Sequence, residues 1–402
     1  MLTRFLRSFK ANTSAKRLPL NRKRVLSCET LEKRELFAVL TGELLVNTTK
    51  LKNQSAPALA AAPDGRSVAV WVHEFSSTDY DVFAQRFDAA GNKTGSEIRV
   101  AKSTRKEYQP DVAIDRFGDF VVTWVDQVSS NNSDIKAQRF TSLGALRGST
   151  IIVASTSKNE LFPSIGIASS GNFVIAWQLG VSSTQDDILA KRFLDNGALS
   201  SSIIVANSSR HENYPDVAVA PDGRFAISYG VDTNNGDVTV KRYSATGALA
   251  STHLVATGST AQYAPRISMD NFANTMVVWY ATGNASANIM ARRISNTGLL
   301  GSTITVVNTV RDEIFPEVAM KRDGTAFVVA HLTISSDRKT FSSATTELTI
   351  GGTVRRRDVT GSLTVLQRSA LAFGVGSSYI VLQGKNLAAS GWDVYRRRGV
   401  LT

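Results

Sequence analysis

The sequence has few of the residue types that build disulfide frameworks and metal centres, with one cysteine and four histidines among 402 residues. A single cysteine, Cys28, cannot form an internal disulfide, and the scattered histidines form no zinc-binding pattern. No apolar run reaches the roughly 18 residues of a spanning helix, so no membrane span is predicted. Phosphate-binding loops, GxSxG elbows and metalloprotease helix motifs do not occur either. We therefore expect no metal and no cofactor.

A repeat dominates what the chain does contain. Its clearest copy runs from Pro215 to Ala256 and reads PDVAVAPDGRFAISYGVDTNNGDVTVKRYSATGALASTHLVA. Four short segments of strand-like alternation are separated by turns rich in Gly, Asp and Asn. Such a unit is typical of a four-stranded antiparallel meander.

Landmarks at fixed offsets identify the other copies. Each copy opens with a proline: Pro57, Pro110, Pro163, Pro215, Pro265 and Pro316. An aromatic residue recurs in the second strand: Trp71, Trp124, Trp177, Tyr229 and Trp279. An arginine recurs five residues after an Asp in the third strand: Arg86, Arg139, Arg192 and Arg242. The period is 50–53 residues, by subtraction of the proline numbers.

Four strands in about 50 residues predict an all-β fold, a β-propeller of four-stranded antiparallel blades. Ser369–Thr402 supplies three more strands and lacks a fourth, and Leu40–Lys50 resembles that missing strand. We therefore predict seven blades, with an N-terminal strand completing the C-terminal blade. The expected blades lie near 54–108, 109–162, 163–214, 215–264, 265–315, 316–368, and 369–402 plus 39–53, within one domain, 39–402.

The sixth copy departs from the pattern after its second strand. His331–Gly352 is interpreted as a Ser/Thr-rich insertion, with the third strand resuming at Val354. Insertions in one repeat often lie on the binding face of repeat proteins. Drift in a tolerant loop is the second interpretation.

Residues 1–38 do not match the repeat and are strongly basic. Ten Lys or Arg against three Glu give this leader +7 of the chain's net +12, which leaves +5 for the rest. The basic character therefore belongs mostly to the leader. It does not indicate nucleic-acid binding by the propeller.

The end of the leader carries a recognisable pattern. Arg22–Val39 reads RKRVLSCETLEKRELFAV, a basic run followed by a core whose positions are Leu31, Glu32, Arg34, Leu36 and Ala38. This resembles the planctomycete extracellular motif, Leu-Glu-x-Arg-x-Leu-x-Ala, with Phe37 where Leu is usual. The resemblance implies export to the cell surface or beyond it. A disordered basic tail is the alternative interpretation.

The repeated Trp and Arg residues indicate framework rather than chemistry, because they recur in nearly every blade. Arg86 shares a strand face with small apolar residues, so we expect it between blades, paired with an acid or stacked on a Trp.

A second recurring set precedes the opening prolines. Basic and acidic residues alternate at Arg105 and Glu107, Lys158 and Glu160, Arg210 and Glu212, and Arg311 and Glu313. Aromatic residues follow at Tyr108, Phe162, Tyr214 and Phe315, with Tyr263 in the fifth copy. These could form a ligand-binding ring at the channel mouth. A girdle of ion pairs between blades is the interpretation that we favour.

Residues that deviate from the repeat are better candidates for a site. The loops after the second strands differ most, and they provide His73, Glu74, Asp126, Asp232, Asn234 and His331. The segment from Asp232 to Asp237 has some oxygen ligands of a calcium loop, but it lacks the full pattern.

Two functions fit these observations. The first is a non-catalytic secreted or cell-surface module, expected to be monomeric, that binds a carbohydrate or protein ligand at the channel mouth. The second is a polysaccharide hydrolase or lyase, which needs carboxylates such as Glu74, Asp126 and Asp232 to converge. Sialidase Ser-x-Asp-x-Gly-x-x-Trp boxes are absent from the sequence, and Arg266, which resembles a sialidase arginine, lacks partner arginines.

Overall fold

A computed structural model describes residues 43–49, 52–232, 236–282, 286–335, 340–363, 369–387 and 391–401. Of 360–363, 385–387 and 391–392 it describes the backbone. All of these residues belong to one compact unit, Ala38–Thr402. The leader with its targeting motif and the candidate ligand Asn234 lie outside the described residues.

The described residues form 28 strands in seven four-stranded antiparallel sheets, which are the blades of a seven-bladed β-propeller. The chain begins with β1 (Leu44–Leu45). The first blade contains β2 (Gln54–Ala61), β3 (Ser67–Glu74), β4 (Tyr80–Phe87) and β5 (Lys93–Ala101). The second contains β6 (Glu107–Ile114), β7 (Phe120–Ser129), β8 (Asn132–Phe140) and β9 (Ile151–Ala154).

The next three blades repeat the same meander. The third blade contains β10 (Glu160–Ile167), β11 (Phe173–Ser182), β12 (Gln185–Phe193) and β13 (Leu199–Ala206). The fourth contains β14 (Glu212–Val219), β15 (Phe225–Val231), β16 (Asp237–Tyr243) and β17 (Leu249–Ala256). The fifth contains β18 (Ala261–Met269), β19 (Thr275–Thr282), β20 (Ala287–Ile294) and β21 (Leu300–Val307).

The sixth blade differs from the sequence-based expectation. It contains β22 (Glu313–Met320), β23 (Ala326–Ile334), β24 (Phe341–Thr349) and β25 (Val354–Leu363). The segment interpreted as an insertion is therefore largely the third strand itself, β24, and the strand at Val354 is the fourth. The misassignment has a physical cause: β24 lacks the Asp and Arg landmarks, but its Thr-rich sequence still suits a half-buried strand.

The seventh blade is built from both ends of the chain, which confirms the predicted closure. It contains β26 (Ala370–Phe373), β27 (Ser378–Leu387), β28 (Gly391–Val400) and the N-terminal β1. Leu44 pairs with Arg396 and Leu45 with Tyr395. Asn47 extends the contact by donating through Nδ2 to Asp393 Oδ1 over 2.8 Å.

The hydrophobic core lies between blades, in seven clusters of described residues that each draw on two neighbouring blades. The second strand of each blade is sandwiched on both sides, which explains near-continuous apolar runs such as FVVTWV in β7. Trp71, Trp124, Trp177 and Trp279 are buried in these clusters and pack against the preceding blade.

The repeated arginines also lie between blades, but their partners are not the expected acids or Trp rings. Each donates to a backbone carbonyl in the turn between the third and fourth strands of the next blade. Arg86 reaches Ser142 O over 2.8 Å, Arg192 reaches Thr246 O over 2.8 Å, Arg242 reaches Asn296 O over 3.0 Å, and Arg139 reaches Asp195 O. A carbonyl is an adequate partner because the turn places it at the blade boundary.

The meander defines two faces of the propeller. On what we call the upper face lie the loops from second to third strands and from each outer strand to the next blade. The lower face carries the turns that join first to second and third to fourth strands. Within the described ranges, no helix is long and apolar enough to cross a membrane.

Candidate functional site

Three of the residues predicted to bind ligand lie inside the blades rather than at the upper surface. His73 is buried, its Nδ1 lies 2.9 Å from Gln54 Nε2, and its ring packs on Phe75. Burial lowers the pKa of His73. The loops do open to the upper face, but His73 and Asp126 are the last buried residues of their second strands, and His331 is followed by two more buried residues.

Asp126 and His331 are buried in the same way. Asp126 forms ion pairs with Arg105, at 2.5 Å, and with Lys136. His331 lies 3.4 Å from an Arg357 nitrogen, and burial followed by the Arg357 charge lowers its pKa to about 3. The enclosed, neutral imidazole of His331 and the carboxylate of Asp126 with its two ion pairs therefore have structural positions inside the blades.

The other two described candidates, Glu74 and Asp232, differ in their exposure to solvent. Glu74 accepts a hydrogen bond from Asn53 over 3.0 Å and is half-buried. Asp232 is exposed and lines a cleft described below. Glu74, Asp126 and Asp232 belong to three different blades, and Asp126 is buried in ion pairs, so the enzyme hypothesis in its original form loses that carboxylate.

The acids of the predicted charged ring are also enclosed. Each begins the first strand of its blade and is held by a Ser or Thr four residues earlier, as in the 2.5 Å bond from Thr156 Oγ1 to Glu160. The four are Glu107, Glu160, Glu212 and Glu313. These acids are consequently part of the contact between blades and do not form a ligand-binding surface, whereas the ring aromatics Tyr214, Tyr263 and Phe315 line a cleft described below.

A bulge at each opening proline shapes the channel mouth. The residue before the proline has a positive φ, which is strained for a side chain with a Cβ and unusual before proline. The six positions are Ala56, Gln109, Phe162, Tyr214, Ala264 and Phe315, with φ between 47° and 53°. The strand register shifts at the same place in each of these blades. Proline suits the bulge because it has no N–H to pair.

The bulge directs the residue after each proline into the central channel. A cavity of about 440 Å³ lies there, and its polar lining residues include Asp111, Ser164, Asp216, Arg266 and Glu317. Four of these side chains are ionisable, so charged groups from several blades meet in this cavity.

The channel side chains link neighbouring blades. Asp111 accepts from Ile165 N over 2.9 Å, and Asp216 accepts from Ile267 N over 2.7 Å. Ser164 Oγ donates to Asp216 over 3.0 Å. Among the described residues, the first strands of adjacent blades do not pair through their backbones here. These side-chain hydrogen bonds connect them instead.

The channel charges perturb one another. Burial, together with the charges of Asp216 and Glu317, raises the pKa of Asp111 to about 7, against the backbone bond that lowers it. Burial also raises the pKa of Asp216. Burial opposes the charge of Arg266, but Glu317 and Asp216 outweigh it and raise the pKa of the guanidinium. Asp111 is therefore poised between its two protonation states near neutral pH.

An aromatic cleft adjoins the channel on the upper face. It has a volume of about 400 Å³ and its aromatic lining consists of Tyr214, Tyr263, Tyr280 and Phe315. The Tyr263 and Tyr280 ring centroids lie 5.4 Å apart, and Tyr280 and Phe315 lie 6.1 Å apart. Asn213 and Asp232 also line it. Tyr263 is 41% exposed, so this apolar surface is open to solvent.

Apart from Arg266, which resembled a sialidase arginine, the channel residues were not predicted from the sequence, although a signal was present. The position after the opening proline varies from Ala58 to Asp111, Ser164, Asp216, Arg266 and Glu317, while the proline stays. A polar, variable position beside an invariant turn residue would have pointed to the channel. The described residues contain no group of three or more His, Cys, Asp or Glu arranged to hold a metal ion.

Comparison with known proteins supports the fold. No family model matches the chain, and no curated protein matches it. A solved structure of a protein of unknown function from Dyadobacter fermentans has 8% identity and a TM-score of 0.56, covering 90% of this chain and 99% of that one.

Two solved polysaccharide lyases are similar to a comparable degree. A PL25 ulvan lyase has 10% identity and a TM-score of 0.55, covering 89% of this chain and 95% of that one. The lyase Uly1 has 10% identity and a TM-score of 0.54, covering 90% and 100%. At these identities the likeness shows the shared propeller fold and nothing finer.

Proposed function

We propose that this protein is a non-catalytic, extracellular carbohydrate-binding β-propeller whose ligand lies in the aromatic cleft of the upper face. The observation that carries the proposal is the grouping of Tyr263, Tyr280 and Phe315 around an open cleft beside polar side chains. Ligand sites are typically concave, largely apolar and equipped with few polar groups.

The cleft has the chemistry that a sugar ring requires. Aromatic faces pack against the apolar C–H face of a pyranose, and the amide of Asn213 and the carboxylate of Asp232 can bond its hydroxyl groups. A volume of about 400 Å³ lies within the range of small-molecule sites. Because Tyr214 lines both the cleft and the channel, a longer glycan would extend towards Asp216.

Two further considerations support a polysaccharide outside the cell. The motif at Arg22–Val39 resembles an export signal. Two of the propellers that this chain resembles in fold act on polysaccharides, which makes such polymers the natural first ligands to test.

The proposal is tested by probing a glycan and peptide array with the full chain and then titrating the best ligand calorimetrically. We expect glycan binding that weakens at least about tenfold in Tyr263→Ala and Tyr280→Ala, a loss of about 1.4 kcal/mol. Phe117→Ala is the matched control, because Phe117 is a similarly exposed aromatic residue on the lower face. Binding of peptides alone, or equal loss in the control, would contradict the proposal.

A polysaccharide hydrolase or lyase is the second candidate, favoured by the ionisable channel. Asp111, with its pKa near 7, could act as a general acid or base at neutral pH. Release of shortened or unsaturated sugars by the wild type, abolished in Asp111→Asn and kept in Asp323→Asn on the lower face, would establish catalysis. No release from any bound glycan would leave the binding function alone.

A further inference from the structure

Three blade boundaries on one side of the propeller share a local geometry. Isolated parallel bridges join the start of a third strand to the start of the next blade's first strand. The bridges are Tyr80 with Lys106, Ser133 with Asn159, and Asp186 with His211. In every bridge, each of the two bridged residues is followed in the sequence by an acid. The resulting pairs are Asp81 and Glu107, Asp134 and Glu160, and Asp187 and Glu212.

The paired acids are enclosed and close together. Asp81, Glu107, Asp134, Glu160 and Glu212 are buried, and Asp187 is half-buried and accepts a hydrogen bond from Gln185 Nε2 over 3.0 Å. The charges of the two members of each pair act on each other across the boundary.

Several of these carboxyl oxygens have no hydrogen-bond partner among the described residues. They are Asp81 Oδ1, Asp134 Oδ1, Glu160 Oε2 and Glu212 Oε2. Two facing carboxylates with unsatisfied oxygens cannot both stay ionised in a buried contact without a cation between them.

Other boundaries place an amide at the equivalent positions. Gln262 stands where the next acid would face Asp237, and Asn288 stands where an acid would face Glu313. At the boundary of the seventh and first blades, Asn47 Nδ2 donates to both Asp393, over 2.8 Å, and Gln54, over 3.1 Å. At this boundary an amide N–H thus supplies the hydrogen that two facing oxygens need, whereas the Gln262 amide donates to Thr260 O and Thr260 Oγ1, both over 2.7 Å.

We infer that each of the three acid pairs shares one proton, which serves as the hydrogen-bond donor that the Asn47 amide provides at the boundary of the seventh and first blades. The pairs act as a pH-sensitive seal between the first four blades. This inference is independent of the ligand-binding proposal, since the pairs lie between blades and not in the cleft.

Apart from Arg99, the cationic side chains named here near the pairs are directed to other partners. Arg99 is paired with the second oxygen of Asp81, and Arg105 and Lys136 with Asp126. Lys191, near Glu160, donates to Val153 O, and Lys241, near Glu212, donates to Val205 O. Tyr229 also faces Glu212.

A proton fits these positions better than a metal ion. Calcium requires six or more oxygen ligands, and a carboxyl pair offers too few. The described residues also lack a group of three or more acids or histidines that could hold a metal.

The electrostatics agree with the geometry. Burial raises the pKa of Glu107 to about 7, with Asp81 and Asp126 adding to the effect. Burial and then the nearby Asp raise the pKa values of Glu160 and Glu212. A raised carboxyl pKa stabilises the fold fully below the unfolded value near 4.5, and this contribution is lost as pH rises through the folded value.

The test compares thermal unfolding of the full chain between pH 5 and pH 8. The triple variant Glu107→Gln, Glu160→Gln, Glu212→Gln copies the natural Gln262. We expect its melting temperature to fall less than that of the wild type, by about 2 °C for each pair. Gln262→Glu creates a fourth pair with Asp237 and should enlarge the fall by a similar amount. Asp323→Asn is the control: the Lys321 and Thr325 contacts overcome desolvation and lower the pKa of Asp323 to about 2, so this variant should leave the pH dependence between pH 5 and pH 8 unchanged.

Infrared spectroscopy of the wild type provides a readout that does not depend on variant stability. A carbonyl band of protonated carboxylic acid should persist near pH 6 and be lost as the pH is raised to 8. Equal pH dependence of the triple variant and wild type, or no such band, would overturn the inference. So would stabilisation by calcium at pH 8 that disappears in the triple variant, because a metal would then occupy the pairs.

Discussion

The guanidinium Nε of Arg266 lies 3.0 Å from Oε1 of Glu317, across the boundary between the fifth and sixth blades. The side chain of Arg266 also sits in the field of Asp216, from the fourth blade. One arginine thus compensates acids from the blades on both sides of its own. The channel lining is a charge-balanced contact between blades as well as a polar cavity.

Removing this arginine should destabilise the propeller. Arg266→Leu removes the cation that interacts with both Asp216 and Glu317, and we expect a loss of about 2–4 kcal/mol, somewhat below that of a fully enclosed pair. The midpoint of urea unfolding measures it. Arg66→Leu is the control: its 2.6 Å pair with Asp64 is exposed and should contribute less than about 1 kcal/mol. Equal losses in both variants would contradict the channel assignment.

A second prediction concerns close packing in the seventh blade. A Cβ added at Gly399 would lie 2.3 Å from Cζ of the buried Tyr379, whose hydroxyl donates to Glu347 over 2.9 Å. Gly399→Ala should therefore cost about 1–3 kcal/mol through overpacking. At Gly351 the nearest atom is Thr349 Oγ1 at 3.9 Å, so Gly351→Ala should be close to neutral. Calorimetric melting of the two variants distinguishes crowding from a general effect of alanine.

A third prediction tests the closure of the ring. Asn47 donates to Asp393 and Gln54 and accepts from Val394 N over 2.8 Å. Asn47→Ala removes these three hydrogen bonds from buried groups, and we expect a loss of about 2–4 kcal/mol. Asn47→Ser keeps an acceptor for Val394 N and should recover part of the loss. A neutral Asn47→Ala, by urea unfolding, would show that the terminal strand does not hold the ring together.

The blade repeat and its closure could be predicted because they depend on local chemistry. Alternation, turn glycines and the spacing of Trp71, Trp124 and Trp177 follow from the need to bury both faces of each sheet. The third strand of the sixth blade was misassigned because Phe341–Thr349 lacks the Asp and Arg landmarks of the repeat. Arg355–Asp358 contains both residue types and was therefore taken for the third strand. Where the landmark residues are absent, only the pairing of strands in the folded sheet shows which segment is the third strand.

The site was predicted less well for a geometric reason. His73 and His331 come after the apolar part of a second strand, where the sequence suggests an exposed loop. They still belong to the strand, which remains buried between blades at these positions. The channel residues depend on a bulge with positive φ before proline, which ordinary pre-proline preferences argue against. That single backbone feature moves Asp111 and Arg266 into the channel.

The last prediction concerns pH and Asp111. Because its pKa is raised from the ordinary 3.8 to about 7, Asp111 stabilises the fold below about pH 4, and this contribution is lost as the pH rises towards 7. Asp111→Asn keeps an acceptor for Ile165 N without an ionisable group, so its stability should fall less across that range. Unfolding free energies from urea titrations between pH 4 and pH 8 measure the difference. Asp323→Asn is the opposite control, since the Lys321 and Thr325 contacts overcome desolvation and lower the pKa of Asp323 to about 2. An Asp111→Asn profile parallel to the wild type would mean that Asp111 is ionised throughout, and the channel would then lack its titrating group.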